Sequence, residues 1–199
     1  MASPCFNTSG RLILGSGSPR RKALMKAMGL SFQVQTAEIE ETYPEALKGH
    51  QITDYLAIRK SEALRPHTKA GDLVLTADTI VWFEGRVMEK PVEIRQARET
   101  LKQLSGKRHE VITSVCFRQA GAKRVLHAVT EVKFAPLDEG MITAYFKKGH
   151  PLDKAGAYGI QEWIGLTAVE EIRGSYTNVV GLPTQLVYKI LKEMKFPLD

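Results

Sequence analysis

The stretch LILGSGSPRRKALMKAMG, residues 12–29, indicates the start of an α/β fold. Its three leading apolar residues predict a short buried strand, and the small residues at 15–18 predict a loop. Ser18 and Pro19 are typical of an N-cap and a first helical position, because the serine hydroxyl accepts from a free backbone N–H and proline lacks one. Gly29 is expected to end this helix. Its core-facing side is expected to carry the apolar residues at helical spacing, which are Ala23, Leu24, Ala27 and Met28.

The first turn of this helix carries three cations in a row, Arg20, Arg21 and Lys22. The helix dipole already places partial positive charge there, so the arrangement is unfavourable by several tenths of a kcal/mol or more unless an anion binds. A glycine-containing loop that enters a helix also binds phosphate through its backbone N–H groups. We therefore expect phosphate contacts from the backbone of residues 16–18 and from the two arginines. A capped surface helix with solvated arginines is the alternative.

The composition is that of an ordinary soluble globular protein of 199 residues with a net charge of +6. We expect one α/β domain over residues 1–199, either undivided or in two lobes with the active-site cleft between them. No apolar run approaches the roughly 20 residues that span a bilayer, and the N-terminus lacks a secretion-signal pattern, so a cytoplasmic protein without a membrane partner is expected. The positive charge favours anionic partners, but no basic arm or aromatic platform suggests nucleic acid.

The two cysteines and five histidines show no metal-ligand spacing. There is no CxxC and no HExxH, so no structural zinc site is expected.

Beyond residue 29 the chain alternates between strand and helix patterns. Strand patterns lie at 32–36, 73–83, 109–117, 124–134 and 167–172. Helix patterns lie at 53–65, with Thr53 as the N-cap, and at 91–104, 138–148 and 184–194. Turn signals at 84–85 and at Gly121 predict hairpins. The pattern predicts an α/β fold in which helices flank a mixed, twisted central sheet.

Two ionisable residues lie within apolar patterns. Lys60 lies at the centre of the apolar stripe of its helix, and Asp78 lies alone in the run LVLTADTIVWF. A buried charge is costly unless a partner meets it, so each is expected to contact an opposite charge, a metal or a ligand phosphate. A lysine that extends past the core edge and an aspartate in a strand-end turn are the alternatives.

Glu41 and Lys90 extend this set with a second carboxylate and another cation. Carboxylates hold Mg²⁺ or Mn²⁺, and cations neutralise a leaving pyrophosphate, so the combination suits triphosphate chemistry. The absence of GxxxxGK[ST] excludes a P-loop NTPase.

A set of motifs in this order resembles the Maf family of nucleoside triphosphate pyrophosphatases. The set comprises GSGSPRR at 15–21, Glu40-Glu41, the Ala57 to Lys60 helix, ADT at 77–79, Lys90-Pro91, GKRHEVITSV at 106–115, DKAGAYGIQ at 153–161 and GSYTNVVGLP at 174–183. The resemblance implies a Maf/ITPase-like architecture, a homodimer and metal-dependent cleavage between the α and β phosphates. Glu89 and Glu162 depart from it, since the family usually has glycine at these positions.

DKAGAYGIQ resembles the subgroup that acts on dTTP and UTP. In that subgroup the residues matching Arg20, Thr79 and Gln161 select the base, and the residue matching Asp78 accepts a proton. The Gln161 amide offers both a donor and an acceptor to a uracil or thymine edge. The sequence thus predicts Ser18, Arg20, Arg21, Lys60, Thr79, Lys90 and Gln161 as substrate-binding, Glu41 and Asp78 as metal-binding, and Asp78 as catalytic. The alternatives are a pyrophosphatase for 7-methyl-GTP or another purine nucleotide, and a nucleotide-binding regulator of septum formation.

Overall fold

The structure is a computed structural model that describes residues 10–149 and 151–197. The prediction about a secretion signal concerns residues that lie mostly outside these ranges. The strands are β1 (Leu12–Leu14), β2 (Gln33–Val34), β3 (Leu73–Phe83), β4 (Arg86–Met88), β5 (Arg108–Gln119), β6 (Ala122–Phe134) and β7 (Val169–Arg173). The α-helices are α1 (Pro19–Ala27), α2 (His50–Ala63), α3 (Ile94–Leu104), α4 (Glu139–Lys148), α5 (Trp163–Ala168), α6 (Tyr176–Val180) and α7 (Thr184–Glu193). Among the described residues, none of the helices has the length and apolar character to cross a membrane.

All the strands of the described residues belong to one mixed sheet, as the alternating patterns predicted. Its order is β2-β1-β3-β5-β6-β7, with β4 paired to β3 as well. β1 is parallel to both β2 and β3, whereas the other pairs are antiparallel. The predicted hairpins are confirmed, with positive φ at the turn residues Glu84-Gly85 and Ala120-Gly121.

Strand β3 is paired along one edge and interrupted along the other. β5 pairs with residues 74–82, whereas the opposite edge pairs with β1 only at 73–75 and with β4 only at 81–83. Among the described residues, no strand covers residues 76–80 on that side. An unpaired edge leaves main-chain groups to be satisfied by side chains, water or ligand. This gap in the pairing positions the candidate site.

Helices cover both faces of the sheet, because successive residues of a strand point to opposite sides. On one face, Val74 of β3 packs with Leu64, the residue that follows α2. Ile80 of β3 packs there with Leu56 of α2. On the other face, Leu73, Leu75 and Ala77 pack with residues of α1 and α7. Farther along that second face, Val81 and Phe83 pack with residues of α3, α4 and α5. The helix–sheet–helix arrangement confirms the predicted fold class.

The rotation of α1 differs from the prediction. Met25 is fully buried, whereas Ala23 and Ala27 are exposed. The guanidinium of Arg21 donates to main-chain oxygens of the sheet region, and Met25 follows one helical turn later on the same face. The tertiary bonds of Arg21 therefore set which side of α1 faces the core.

Three predicted boundaries were also wrong. The helix predicted from residue 91 begins at Ile94. Helix α2 begins at His50 rather than near Thr53, because Gly49, at φ +52°, lets the chain enter the helix three residues earlier. Thr53 lies inside the helix, and its hydroxyl is buried. Residues 163–168 form α5 where a strand was predicted from 167, because Ile164 and Ala168 are buried one helical turn apart.

Candidate active site

The unpaired edge of β3 forms the floor of a cleft of about 740 Å³. Residues from α1, α2, the loop after β2, the end of β4 and the segments 153–161 and 179–181 line it. The structure brings every side chain singled out from the sequence to this cleft. These are Ser18, Arg20, Arg21, Glu41, Lys60, Asp78, Thr79, Lys90 and Gln161.

The loop that enters α1 has the predicted capping geometry. The Ser18 side chain accepts from the Arg21 N–H at 3.4 Å, and Pro19 is the first helical residue. The Ser18 N–H donates to Ser16 Oγ at 3.3 Å. Within the described residues, no hydrogen bond engages the N–H of Gly17. The loop thus presents a free main-chain donor beside the positive end of a helix, which is the arrangement that binds an anion.

Arg21 spans the cleft floor and uses most of its donors on protein. Its Nε donates to Gly181 O and its Nη1 to Ala77 O, each at 2.9 Å, and its Nη2 donates to Thr79 Oγ1 at 3.0 Å. Nη1 also contacts Ser16 Oγ at 3.2 Å. Ala77 belongs to the unpaired edge of β3, so the guanidinium satisfies a main-chain acceptor there. One Nη2 hydrogen remains for a ligand. Burial lowers the pKa of Arg21 from its ordinary value, and the charge of Asp78 opposes that shift.

Lys60 lies between two carboxylates. Its Nζ is 2.6 Å from Asp78 Oδ1 and 2.6 Å from Glu41 Oε1. The side chain of Asp78 is 8% exposed and that of Lys60 is 17% exposed, so this ion pair is largely shielded from water. The expectation that each buried charge meets an opposite charge is confirmed. Because both carboxylates contact one nitrogen atom, they also lie close enough to share a cation.

The environment of Glu41 keeps its carboxyl ionised. Burial acts to raise its pKa, but the hydrogen bond and charge of Lys60, together with the weaker contribution of Lys90, hold the pKa of Glu41 below its usual range. Lys90 Nζ lies 3.6 Å from Glu41 Oε2 and is half exposed. Glu41 therefore enters the cleft as an anion with two cations beside it.

Asp78 lies in the middle of β3 rather than in a strand-end turn, paired opposite Ser114 of β5. It nevertheless lies beyond the carboxyl end of β1, which stops opposite Leu75. Ligands of α/β sheets bind where parallel strands end, and here the longer strand β3 continues past that point into the cleft. Asp78 and Thr79 point to opposite faces of the sheet, yet both reach the cleft through the gap in β3 pairing.

The far wall of the cleft carries a second network of charges. Arg20 Nη1 contacts Asp153 Oδ2 at 3.2 Å. The buried ammonium of Lys154 contacts Asp153 and, at 2.7 Å, Glu162 Oε1. The hydroxyl of Tyr145 donates to the same Glu162 carboxylate at 2.6 Å. Burial raises the pKa of Tyr145 above its ordinary value, and the hydrogen bond and charge of Glu162 add to this shift.

Gln161 lies exposed next to this network. Within the described part of the chain, no hydrogen bond engages its side-chain amide, which leaves both the donor and the acceptor for a ligand. Thr79 is less free. Its Oγ1 accepts from Arg21 and lies 2.9 Å from Thr113 Oγ1 and 3.4 Å from Gly181 O.

Sequence reasoning did not single out Lys154, Asp153 or Tyr145 as site residues. Lys154 and Asp153 lie within the motif DKAGAYGIQ. The two adjacent opposite charges at the start of this motif are the signal that could have identified them as site residues. Tyr145 gave no signal, because a tyrosine on an amphipathic helix is normally a core residue; only its contact with Glu162 connects it to the cleft. Glu162 was noted for its departure from glycine, and the structure gives it two partners.

Comparison with known proteins assigns the chain to a family. The family described as Maf-like protein matches residues 11–194. The chain belongs to the Maf family. It is 50% identical over 185 residues to a dTTP/UTP pyrophosphatase of Phocaeicola vulgatus, covering 92% of this chain and 96% of that relative. It is 45% identical over 181 residues to a dTTP/UTP pyrophosphatase of Flavobacterium johnsoniae, covering 91% and 93% respectively.

A solved structure supports the fold of this Maf-family chain. The HAM1 protein from Coxiella burnetii superposes with a TM-score of 0.56 at 16% sequence identity, covering 92% of this chain and 99% of that one. At this identity the likeness concerns the fold alone. It agrees with the mixed sheet flanked by helices and with the expected ITPase-like architecture.

Proposed function

We propose that this Maf-family protein hydrolyses dTTP and UTP to the nucleoside monophosphate and pyrophosphate. The observation that carries the proposal is the contact of one lysine, Lys60, with the two carboxylates of Asp78 and Glu41 in a cleft that also holds a helix N-terminus and further cations. Relatives named dTTP/UTP pyrophosphatase, 45% and 50% identical over most of their length, support the choice of substrate.

The triphosphate binds between the start of α1 and the Lys60 pair. The free N–H of Gly17 and the positive end of α1 receive phosphate oxygens, and Ser18 holds the loop in the shape that presents them. The remaining donor of Arg21 and the ammonium of the half-exposed Lys90 contact the phosphates. Arg20, now paired with Asp153, lies where it can contact either the phosphates or the sugar and base.

The two carboxylates fit a divalent metal. Glu41 and Asp78 present hard oxygen donors that already converge on one cation, the Lys60 ammonium, and such donors suit Mg²⁺ or Mn²⁺. When bound, the ion would neutralise charge on the phosphates and on the departing pyrophosphate. The low pKa of Glu41 keeps this ligand in its anionic form at neutral pH.

Asp78 accepts the proton of the attacking water. Lys60 donates to its Oδ1, so Oδ2 remains available to orient a water molecule toward the α phosphate. Lys60 fixes the rotamer of the carboxylate, and its charge compensates the burial of Asp78. Removal of the water proton by a fixed carboxylate contributes about 10²- to 10⁴-fold in rate in enzymes of this kind.

Gln161 and Thr79 select the base. A uracil or thymine edge presents an acceptor, a donor and an acceptor, and the Gln161 amide complements two neighbouring groups of that edge. The Thr79 hydroxyl, held by Arg21 and near Thr113, contributes a fixed polar surface to the same cleft. A site that hydrogen-bonds its substrate rejects analogues that leave those groups unpaired.

The experiment is a measurement of pyrophosphate release from dTTP, UTP, CTP, 7-methyl-GTP, GTP and ATP, with Mg²⁺ or Mn²⁺ and with EDTA. We expect metal-dependent release mainly from dTTP and UTP, with the monophosphate as the second product by chromatography. Diphosphate plus phosphate as products would contradict cleavage between the α and β phosphates. Release from purine nucleotides alone would overturn the roles of Gln161 and Thr79. Tight nucleotide binding without turnover would support the regulator instead.

The homodimer and the cytoplasmic location stay predictions. Light scattering of the purified protein tests the first, since a dimer has twice the 22.2 kDa mass of the chain.

A further inference from the structure

We propose that His50, Asp54 and His127, here called the His50 cluster, form a second metal site that binds a late first-row divalent cation of the Zn²⁺ class. The ligand-type atoms of these three side chains all lie within 4.8 Å of one another. None of the three lines the cleft. Residue spacing did not indicate such a site, because the two histidines are far apart in the chain.

The fold assembles the cluster from one helix and one strand. His50 and Asp54 are one helical turn apart on α2, so their side chains lie on the same side of the helix. His127 lies on β6, paired opposite Ser114 of β5, and opposite residues of paired strands point to the same face of a sheet. That face is the one that α2 covers.

The ligand-type atoms of the three side chains lie near one another, and the stacked rings must turn before both can point at one ion. The rings of His50 and His127 stack with centroids 4.1 Å apart and an angle of 23° between their planes. His127 Nδ1 lies 3.7 Å from Asp54 Oδ2. Tetrahedral zinc with bonds of about 2.0–2.1 Å separates its ligand atoms by about 3.4 Å. The two exposed imidazoles can close the remaining difference by side-chain rotation.

The carboxylate of the cluster is held in place by buried hydroxyls. The Ser114 hydroxyl donates to Asp54 Oδ1 at 2.6 Å, and Thr53 Oγ1 lies 2.6 Å from Ser114 Oγ. Ser114 and Thr53 are both fully buried. Hydrogen bonds of this kind orient the carboxylate ligands of metal sites and leave the second oxygen for the ion. Here that second oxygen, Oδ2, is the one that faces His127.

The ligand types at the His50 cluster favour a different class of metal ion from those in the cleft. Two imidazoles and one carboxylate favour Zn²⁺, Cu²⁺, Ni²⁺ or Co²⁺, whereas the two carboxylates of the cleft favour Mg²⁺ or Mn²⁺. Three protein ligands leave a fourth position for water or another ligand. A bound ion would connect the first turn of α2 to β6 and stabilise their packing.

The test is calorimetric titration of the full-length, EDTA-treated and dialysed protein with ZnCl₂ in excess MgCl₂. We expect one Zn²⁺ per chain and a higher melting temperature with zinc. His127→Ala should weaken zinc binding by about 100-fold or more, and Ser114→Ala, which removes only the orienting hydroxyl, by about 10-fold. The matched control is His67→Ala, which removes an exposed histidine outside the cluster and should bind zinc like the unmodified protein.

Three outcomes would overturn the proposal. Equal zinc affinity in His127→Ala and the unmodified protein would exclude the cluster, and loss of zinc in Glu41→Gln with retention in His127→Ala would place the zinc in the cleft. His50→Ala provides a second variant if His127→Ala does not fold. With Co²⁺ as the probe, the unmodified protein should show visible absorption typical of tetrahedral cobalt, and His50→Ala should lose it. Retention of that spectrum in His50→Ala would equally contradict the proposal.

Discussion

The Nζ atom of Lys60 lies 2.6 Å from the Oδ1 atom of Asp78 and so joins helix α2 to the middle of strand β3. Asp78 is nearly buried, and removing one member of such a pair leaves an uncompensated charge, which is strongly destabilising. The same nitrogen contacts Glu41, so one cation holds both carboxylates that we propose as metal ligands. The first two predictions follow from this contact.

Asp78→Asn should abolish pyrophosphate release while the protein stays folded, because Glu41 still pairs with the Lys60 ammonium. The amide keeps the size of the side chain but cannot accept a proton, so we expect a loss of about 10²- to 10⁴-fold in kcat. Circular dichroism and the melting temperature check the fold. The matched control is Asp72→Asn. Asp72 is another buried carboxylate, directly before β3, and it pairs with Arg11 outside the cleft. This substitution should lower stability and keep turnover; inactivity of both variants would point to a folding defect.

Lys60→Met should move the acidic limb of the pH–rate profile toward higher pH. Lys60 is the main group that lowers the pKa of Glu41, so without it that carboxyl protonates at a higher pH and the proposed metal ligand is lost earlier on acidification. Measurement of kcat/KM against pH at saturating Mg²⁺ checks this. Lys90→Met, whose ammonium lies farther away at 3.6 Å, should produce a smaller shift in the same direction. A larger shift in Lys90→Met would contradict the geometry.

Gln161→Leu should lower kcat/KM for dTTP and UTP by about 10- to 100-fold, the loss that follows from one or two missing hydrogen bonds. The triphosphate contacts are unchanged, so inorganic triphosphate should inhibit both proteins equally. Gln103→Leu, which removes a partly exposed glutamine bonded to Arg86 outside the cleft, serves as the control. An unchanged ratio of UTP to GTP activity in Gln161→Leu would show that another residue reads the base.

Glu162→Gln should destabilise the protein and disturb base selection together. The carboxylate accepts from Tyr145 and contacts the buried Lys154 ammonium, and hydrogen bonds to charged groups contribute about 1.5–3 kcal/mol. Thermal unfolding measures the loss of stability, and the substrate panel measures selection. Tyr145→Phe removes only the hydroxyl, so it should lower stability less because Lys154 keeps its carboxylate.

The free energy of unfolding should fall as the pH decreases from about 6.5 to about 4 because of His109. Burial lowers the pKa of His109 to about 4, so in this window the unfolded chain binds a proton that the folded chain does not. The pKa difference corresponds to about 3 kcal/mol across the window. Urea unfolding at several pH values checks this. His109→Gln, which can still meet the Tyr158 hydroxyl, should show a flatter acid limb; an identical slope would assign the effect to other groups.

The general fold followed from local patterns. The apolar run at 73–83, the turn at Glu84-Gly85 and the Ser18-Pro19 cap became a strand, a hairpin and a capped helix, because each depends on the residues' own conformational preferences. The burial of Lys60 and Asp78 followed from periodicity alone, and so did the need for an opposite charge. The error at α2 arose because a glycine with positive φ moved the helix start, and the error at α5 because burial of Ile164 and Ala168 outweighed strand propensity.

The sequence by itself determined most of the strand and helix types, the family resemblance and nine of the side chains that line the cleft, since these depend on residue chemistry and spacing. Only the tertiary structure decided which charges meet. The interrupted pairing of β3 opens the cleft, the bonds of Arg21 set the rotation of α1, and the register of β5 and β6 places His127 beside Asp54. The physical reason is that contacts between residues distant in the chain depend on strand register and helix packing, which no local pattern encodes.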